Sequence, residues 1–506
     1  MTNTNQPKIR TRFAPSPTGY VHIGNFRTAL FSYLFAKHHG GDFILRIEDT
    51  DRARLVEGAV DSLLKVLNQF GIEPDEGFYL DSQGQVKERG SLGPYLQSER
   101  LPLYQKYALQ LVEEKKAYYC YCSEQRLEDL RKEQVALKKP PMYDRHCRGL
   151  SAEQAQAEME RCRKEGRNPV IRQAIPQEGA TIVHDVIYGE IRYENQLLDD
   201  QVLLKSDGFP TYHLAVVVDD HFMGITHITR SEEWIPSTPK HILLYQALGW
   251  QPPVFAHLPL ILNPDKTKLS KRQGDVAVED FLKKGYLPEA LINFVAFLGW
   301  NPKTEREIFS LPELIAEFDL AKVNKSGAVF DIGKLDWLNG QYIRTTDPAR
   351  LLELAKPYWQ EAGIDQAGRA DSYLMAIIAL EKDRLKKLAD IGEGTGFYFR
   401  EPDYEPALLV WKKSTAADAK DKLAKLAELL QSLTDDGFAQ PALEAAVKKF
   451  IADNNYDNGS VLWPLRVALT GRQFSPGPFE VCATLFLGIG KQGIIHRLNA
   501  ALKKLA

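Results

Sequence analysis

RFAPSPTGYVHIGNFRTALFSYLFAKHHGG, residues 12–41, passes from an apolar, strand-like start through two prolines and two glycines into a plainly helical run. Where a parallel strand hands over to a helix, free N–H groups and the helix dipole at the carboxyl edge of the sheet favour anions, phosphates above all. Gly19 and Gly24 permit backbone geometry or a close approach that a side chain would block. His22 between them can donate to phosphate oxygens as charge develops. A histidine that merely caps a helix in a proline-rich turn is the plainer reading, and the turn alone does not separate the two.

Residues 8–112 continue this alternation. Short β-rich runs (IRTRFAP, DFILRIED) are interleaved with helical patterns (FRTALFSYLFAKHH, VEGAVDSLLKVLNQFG), which predicts βαβ units and a parallel sheet. Residues 113–211 differ: a charged helix (EQRLEDLRKEQVALKK), a PP break, a second charged helix, then the β-like ATIVHDVIYGEIRYE and DDQVLLKSD. They read as an inserted α+β domain. The apolar runs HLAVVVDDHFMG and FAHLPLILN resume the first pattern over 212–262, where the sheet would close. From about 341 helical periodicity dominates, with Leu374, Ile377, Ile378, Leu385 and Leu388, then Leu423, Leu426, Leu430 and Leu433.

The chain has 506 residues, 44% of them hydrophobic, enough for several cores. Five cysteines are too few for a disulfide framework, and MTNTNQPKIRTR carries no apolar segment ahead of a cleavage site, so a reducing cytoplasm is expected. No apolar stretch reaches the roughly 18 residues of a membrane span, so no membrane partner is expected. A net charge of −3 neither demands nor excludes nucleic acid, because phosphate binding depends on local cation patches.

One such patch is NPDKTKLSKRQGD, residues 263–275, where Lys266, Lys268, Lys271 and Arg272 crowd a loop with Ser270. Several cations on one polar loop suit a polyphosphate transition state, whose charge spreads over nonbridging oxygens. A solvated surface loop is the alternative.

HIGN (His22 to Asn25) and KLSKR (Lys268 to Arg272) resemble the HIGH and KMSKS signatures of class I aminoacyl-tRNA synthetases, with Asn25 and Leu269 as departures. RFAPSPTG, GGDFILRIEDTDRAR, LLKSDGFPTYHLAVVVDDH and RSEEWIPSTPKH, in that order, are similar to the bacterial-type glutamyl-tRNA synthetases over essentially the whole chain. The resemblance implies a Rossmann-type class I catalytic domain (1–112 and 212–262) carrying an insertion (113–211) that binds the tRNA acceptor end. It further implies a KLSKR loop and stem-contact domain (263–340) and an all-α anticodon-binding region (341–506, split near 397).

It also implies the reaction: ATP with Mg2+ activates L-glutamate to an adenylate, and the acyl group passes to the 3′-terminal adenosine of tRNA(Glu). Adenylate formation waiting for tRNA belongs to the same inference. Arg12 and Arg230 would take the side-chain carboxylate, as arginines do bidentately. Glu48 would take the ammonium group, and Ser16 and Tyr212 would orient. His22 would stabilise the α-phosphoryl region and Gly24 admit adenine. Lys271 would hold the β- and γ-phosphates, with Gly19, Lys268 and Arg272 completing the nucleotide site. Each residue also has a plainer reading: Arg12 and Glu48 as strand-end ion pairs, Tyr212 as a half-buried aromatic, and Glu233 with Trp234 as a helix start.

Cys120, Cys122 and Cys147 supply three thiolates at zinc-compatible spacing. Tyr143 matches a tyrosine ligand of some family members. His146 is chemically better but adjoins Cys147, and Gly149 stands where other members carry a histidine. Three reduced, metal-free cysteines are the alternative. In the tail, EKDRLKKLADIGEGTGFYFRE (381–401) reads as a basic helix, a glycine-rich turn and aromatics suited to stacking on splayed bases. Family members that insist on a glutamate anticodon tend to carry an arginine near the end of this turn, where this chain has Gly396. Charging of tRNA(Gln) as well as tRNA(Glu) is therefore expected, by a chain read as a monomer. Competing readings are a glutaminyl-type synthetase, disfavoured because that branch carries β-barrels for the anticodon, and a tRNA-independent nucleotidyltransferase, which would not need 341–506. A catalytically silent tRNA-binding paralogue would have lost the phosphate groups.

Overall fold

The strand expected at the start of the chain forms as β1 (Arg10–Phe13) in the computed structural model, which describes residues 7–51, 55–270, 276–412 and 414–505. β1 pairs in parallel with β2 (Asp42–Leu45), and β2 in parallel with β3 (Glu76–Leu80). An antiparallel edge strand, β4 (Val86–Arg89), completes this sheet. The intervening helix Ile23–His38 is buried along most of its length, Arg27 and Ser32 included.

The insertion contributes a three-stranded antiparallel sheet of β5 (Ala117–Cys120), β6 (Val170–Gln173) and β9 (Val202–Leu204). Two charged helices accompany it, Glu124–Ala136 capped by Ser123 and Ala152–Lys164 opened by a Ser151–Gln154 capping box. The hairpin β7 (Ala180–Asp185) and β8 (Gly189–Glu194), read from sequence with the insertion, goes elsewhere. It extends a sheet of order β10-β11-β7-β8, with β10 at His227–Ser231 and β11 at Val254–Leu258, whose β10–β11 and β11–β7 pairings are parallel.

β1 and β10 lie side by side: the Thr226 amide donates to the Arg10 carbonyl at 2.9 Å. From β1 the chain builds outward to β2 and β3, and from β10 in the other direction to β11. That reversal is the topological switch point at which doubly wound sheets bind ligands. The run HLAVVVDDHFMG forms the helix Tyr212–Phe222, buried from Leu214 to Asp220.

The described residues fall into two compact units, one holding the chain to Phe281 with Leu291–Asp331, the other Leu282–Ala290 with the chain from Ile332 onward. The second unit has no strand among the described residues, and its helices include Asp371–Glu381, Ala416–Ser432, Asn458–Thr470 and Pro478–Lys504. All the leucines and isoleucines picked out there by periodicity are buried, except Leu433 at the rim. The stretch read as a basic helix is not one. Helix Asp371–Glu381 is followed by a short 3-10 turn (Lys382–Arg384), a non-helical bend and the short helices Asp390–Gly394 and Gly396–Phe399.

Candidate active site

A cleft of about 940 Å³ opens at the carboxyl ends of β1 and β10. Arg12, Ser16, His22, Gly24, Glu48, Tyr212, Arg230 and Lys268 all line it, so the structure brings together most of the residues named from sequence. Gly19 stands in the same turn with φ 119° but outside the lining. Lys271 and Arg272 lie outside the described residues.

His22 is the N-cap of helix Ile23–His38, its Nδ1 accepting from the Gly24 amide at 3.0 Å. The capping reading is therefore realised, and it is compatible with a role toward phosphate. With Nδ1 accepting, the ring's donor is its Nε2–H. A Cβ on Gly24 would stand 3.2 Å from His22 Nδ1, so the glycine makes room for the ring. The turn is tied to the segment after the lysine loop: the Ile23 amide donates to the Val276 carbonyl at 2.8 Å. Lys268, within that loop, pairs with Glu233 at 2.5 Å, with half of each side chain exposed. Such a pair is worth only about 0–1 kcal/mol and yields readily to a more highly charged partner.

Below the cleft runs a buried ionic network that sequence reading missed. Arg46, fully buried, donates to Asp220 at 2.8 Å and to Glu48 at 3.0 Å. Arg12 reaches the same Asp220 at 3.2 Å. Asp219 beside it accepts from Arg100 at 2.7 Å, Gln97 at 2.8 Å and the Tyr104 hydroxyl at 2.8 Å. Burial would raise the Asp220 carboxyl, but Arg12 and Arg46 outweigh it and hold the group below the usual range. For Glu48 burial wins over Arg46 and Arg12, and its carboxyl is pushed up. Two adjacent aspartates inside HLAVVVDDHFMG were the available signal, because an apolar helix can bury carboxylates only against cations.

Arg230 is held differently. It is 5% exposed and donates to His257 Nε2 at 3.1 Å, His241 Nδ1 at 3.2 Å, Thr238 Oγ1 at 2.8 Å and Tyr212 Oη at 3.4 Å. Among the described residues no carboxylate lies within ion-pair distance of it. Tyr212 packs against Trp234 with ring centroids 4.4 Å apart, walling this side of the cleft.

In the insertion, the Sγ atoms of Cys120, Cys122 and Cys147 lie within 4.8 Å of one another. Tyr143 Oη is 3.3 Å from Cys120 Sγ and 3.6 Å from Cys122 Sγ, while exposed His146 is outside this group. Cys122 and Cys147 are 3.6 Å apart, close to the ~3.8 Å edge of a tetrahedron with 2.3 Å zinc–sulfur bonds.

In the helical unit Gly396 is buried at the start of its short helix, and a Cβ there would meet the Arg400 guanidinium at 3.4 Å. The neighbouring aromatics do not offer faces to bases, as the sequence reading expected. Phe397 and Tyr398 are 5% and 0% exposed, and the Tyr398 hydroxyl donates to Glu381, because the turn folds them into the helical core.

A family model for tRNA synthetases class I (E and Q), catalytic domain, matches residues 8–337, and one for an anticodon binding domain matches 350–502. The chain is 44% identical over 474 residues to a glutamate–tRNA ligase of Alkaliphilus metalliredigens, covering 92% of this chain and 94% of that one. It is 45% identical over 502 residues to one of Dehalococcoides mccartyi, covering 99% and 98%. A crystal structure of a glutamate tRNA ligase from Elizabethkingia meningosepticum in complex with its amino acid superimposes with a TM-score of 0.87 at 36% identity, covering 99% of this chain and all of that one.

Proposed function

We propose, for a chain that belongs to the glutamate–tRNA ligase family of class I aminoacyl-tRNA synthetases, that it joins L-glutamate to tRNA(Glu) in two steps, ATP-dependent formation of glutamyl-adenylate and then transfer of the acyl group to the tRNA. The observation that carries the choice of amino acid is Arg230: a buried guanidinium facing the cleft, hydrogen-bonded among the described residues by neutral groups alone, calls for an anionic side chain. Arg12, already bonded to Asp220, supplies the second cation. Glu48, whose carboxyl is pushed up by burial against the pull of Arg46 and Arg12, takes the substrate's ammonium group and is thereby stabilised as a carboxylate. Ser16 and Tyr212 orient the amino acid between them.

In the first step the glutamate α-carboxylate attacks the α-phosphorus of Mg2+-ATP in line, and pyrophosphate leaves. In the second, a terminal ribose hydroxyl of the tRNA attacks the acyl carbonyl, and AMP leaves. No protein nucleophile is needed, since positioning and charge stabilisation carry the chemistry. His22 donates toward the α-phosphoryl oxygens from a helix start whose free N–H groups act on the same charge. Gly24 leaves the helix start open to adenine, and Lys268, Lys271 and Arg272 hold the outer phosphates, with Gly19 shaping the turn. tRNA-dependent adenylate formation is part of this reading, as is a monomer acting in the cytoplasm; no described helix is long and apolar enough to cross a membrane. The span 113–211 is assigned to the acceptor end, 263–340 to the stem, and 341–506 to the anticodon.

Cys120, Cys122, Cys147 and Tyr143 would hold one structural zinc ion. The donor set fits: three sulfurs and a phenolic oxygen converge, and Arg126 lies 3.4 Å from Cys122 Sγ, where it offsets thiolate charge. Bound zinc would cross-link the start of the insertion to its interior.

Gly396 supports a broader tRNA range. An arginine at the end of the turn could donate to cytosine acceptors and crowd guanine, whereas glycine does neither. Glutamine anticodons ending in guanine are then tolerated, and an amidotransferase is left to correct the product. Charging of the two transcripts under identical conditions tests this. A preference for tRNA(Glu) beyond about 100-fold, ~2.7 kcal/mol, would mean another residue reads that base.

A further inference from the structure

Arg230 sits in the middle of a buried chain of histidines whose protons are fixed by what the guanidinium can and cannot do. Arginine only donates, so His257 must accept at Nε2 and carry its proton on Nδ1, which points at Asp185 Oδ2, 2.6 Å away. His241 likewise accepts at Nδ1 and carries its proton on Nε2, directed at His213 Nδ1 2.9 Å away. His241 and His257 are 2% and 0% exposed, and Thr238, also fully buried, accepts at 2.8 Å while donating to the Trp234 carbonyl at 2.9 Å. The whole cradle therefore accepts from Arg230 without cancelling its charge. Asp220, whose field reaches Arg230, is already bonded to Arg12 and Arg46.

We propose that His241 and His257 are positioning residues that orient Arg230 while leaving its charge uncompensated, and that this arrangement sets the preference for a carboxylate over a carboxamide side chain. A carboxylate in place of either histidine would orient the guanidinium equally well but satisfy its charge internally, so an incoming glutamate would gain less there. A neutral glutamine side chain has little charge interaction to lose. Burial and the adjacent Arg230 disfavour protonation of His241, in keeping with an acceptor role. The inference rests on Arg230 receiving the substrate carboxylate.

The test measures KM for glutamate and for ATP in tRNA charging, together with glutamine competition. The variants are His241→Asn and His241→Asp at one end, His257→Gln and His257→Leu at the other, with Arg230→Met alongside. His241→Asn and His257→Gln keep an acceptor near the original nitrogen and should hold KM for glutamate within about 3-fold. His241→Asp should raise it about 10-fold or more, narrow the preference for glutamate over glutamine, and leave KM for ATP unchanged. His257→Leu should raise it through a misoriented guanidinium. If His241→Asp matches His241→Asn in KM and selectivity, the proposal is overturned. If circular dichroism shows His241→Asp unfolded, the His257 pair decides, and equal KM values for Gln and Leu overturn it. An unchanged glutamate KM in Arg230→Met removes the underlying carboxylate assignment, an outcome distinct from a failure of the histidine variants alone.

Discussion

Arg46 Nη1 lies 2.8 Å from Asp220 Oδ1 in a contact closed to solvent, although 174 residues separate the two. The same aspartate holds Arg12, and the same arginine holds Glu48, so two cleft-lining residues on different segments are referred to one buried ion pair. Removing one partner of such a pair strands charge in a dry interior, which costs far more than an exposed pair ever contributes.

Asp220→Asn should therefore lower unfolding stability by about 3–5 kcal/mol, read from the urea midpoint at constant m. The surviving fold should show a raised KM for glutamate, because Arg12 and Glu48 lose their common reference. An unchanged midpoint would mean the pair is more solvated than this geometry implies.

The cap made by His22 and the role toward phosphate proposed for it can be separated by substitution. Asparagine is among the best N-cap residues, so His22→Asn should retain the cap and stability while losing the donor to phosphate, with a fall of about 10² in the rate of adenylate formation. His22→Ala should lose both. Wild-type rates in His22→Asn would reduce the ring to a cap.

What the sequence disclosed and what it withheld follow from the range of the interactions. The turn from Arg12 to Asn25 is local, so its strand, glycines and helix start were readable, and the cleft forms around them. The aspartates at 219 and 220 could be noticed, but their partners at 12, 46 and 100 are brought in only by the sheet order. Arg230 was named as a carboxylate ligand, yet its histidine cradle comes from three separate segments. The aromatics 397–399 looked exposed because the short helices around them are too brief for periodicity to show, and the core claims them.

Stability should also fall in mild acid. Burial, with Lys240 and Arg230 adding to it, pushes the folded-state pKa of His213 down to about 4, against 6.5 for the free side chain. Between those values the unfolded chain binds a proton that the folded chain refuses, so unfolding takes up protons and stability drops as pH falls from about 6.5 towards 4. Above that window the group has no effect. His241 and His257 act with the same sign. Urea midpoints at pH 7 and pH 5 should differ less in His213→Gln than in the parent, and equal differences would contradict this account.

The cysteine cluster makes a stoichiometric prediction. Purified protein should hold about one equivalent of zinc, and Cys147→Ser should lose most of it together with part of the thermal stability. Less than about half an equivalent in the parent would dispose of the site.

The central claim is glutamate transfer, and the most direct measurement is ATP-dependent attachment of radiolabelled glutamate to transcribed tRNA(Glu). Acid-precipitable product should form with glutamate, ATP and tRNA together, should vanish when any one is omitted, and should not form with labelled glutamine. No product with glutamate, or a preference for glutamine, would contradict the account.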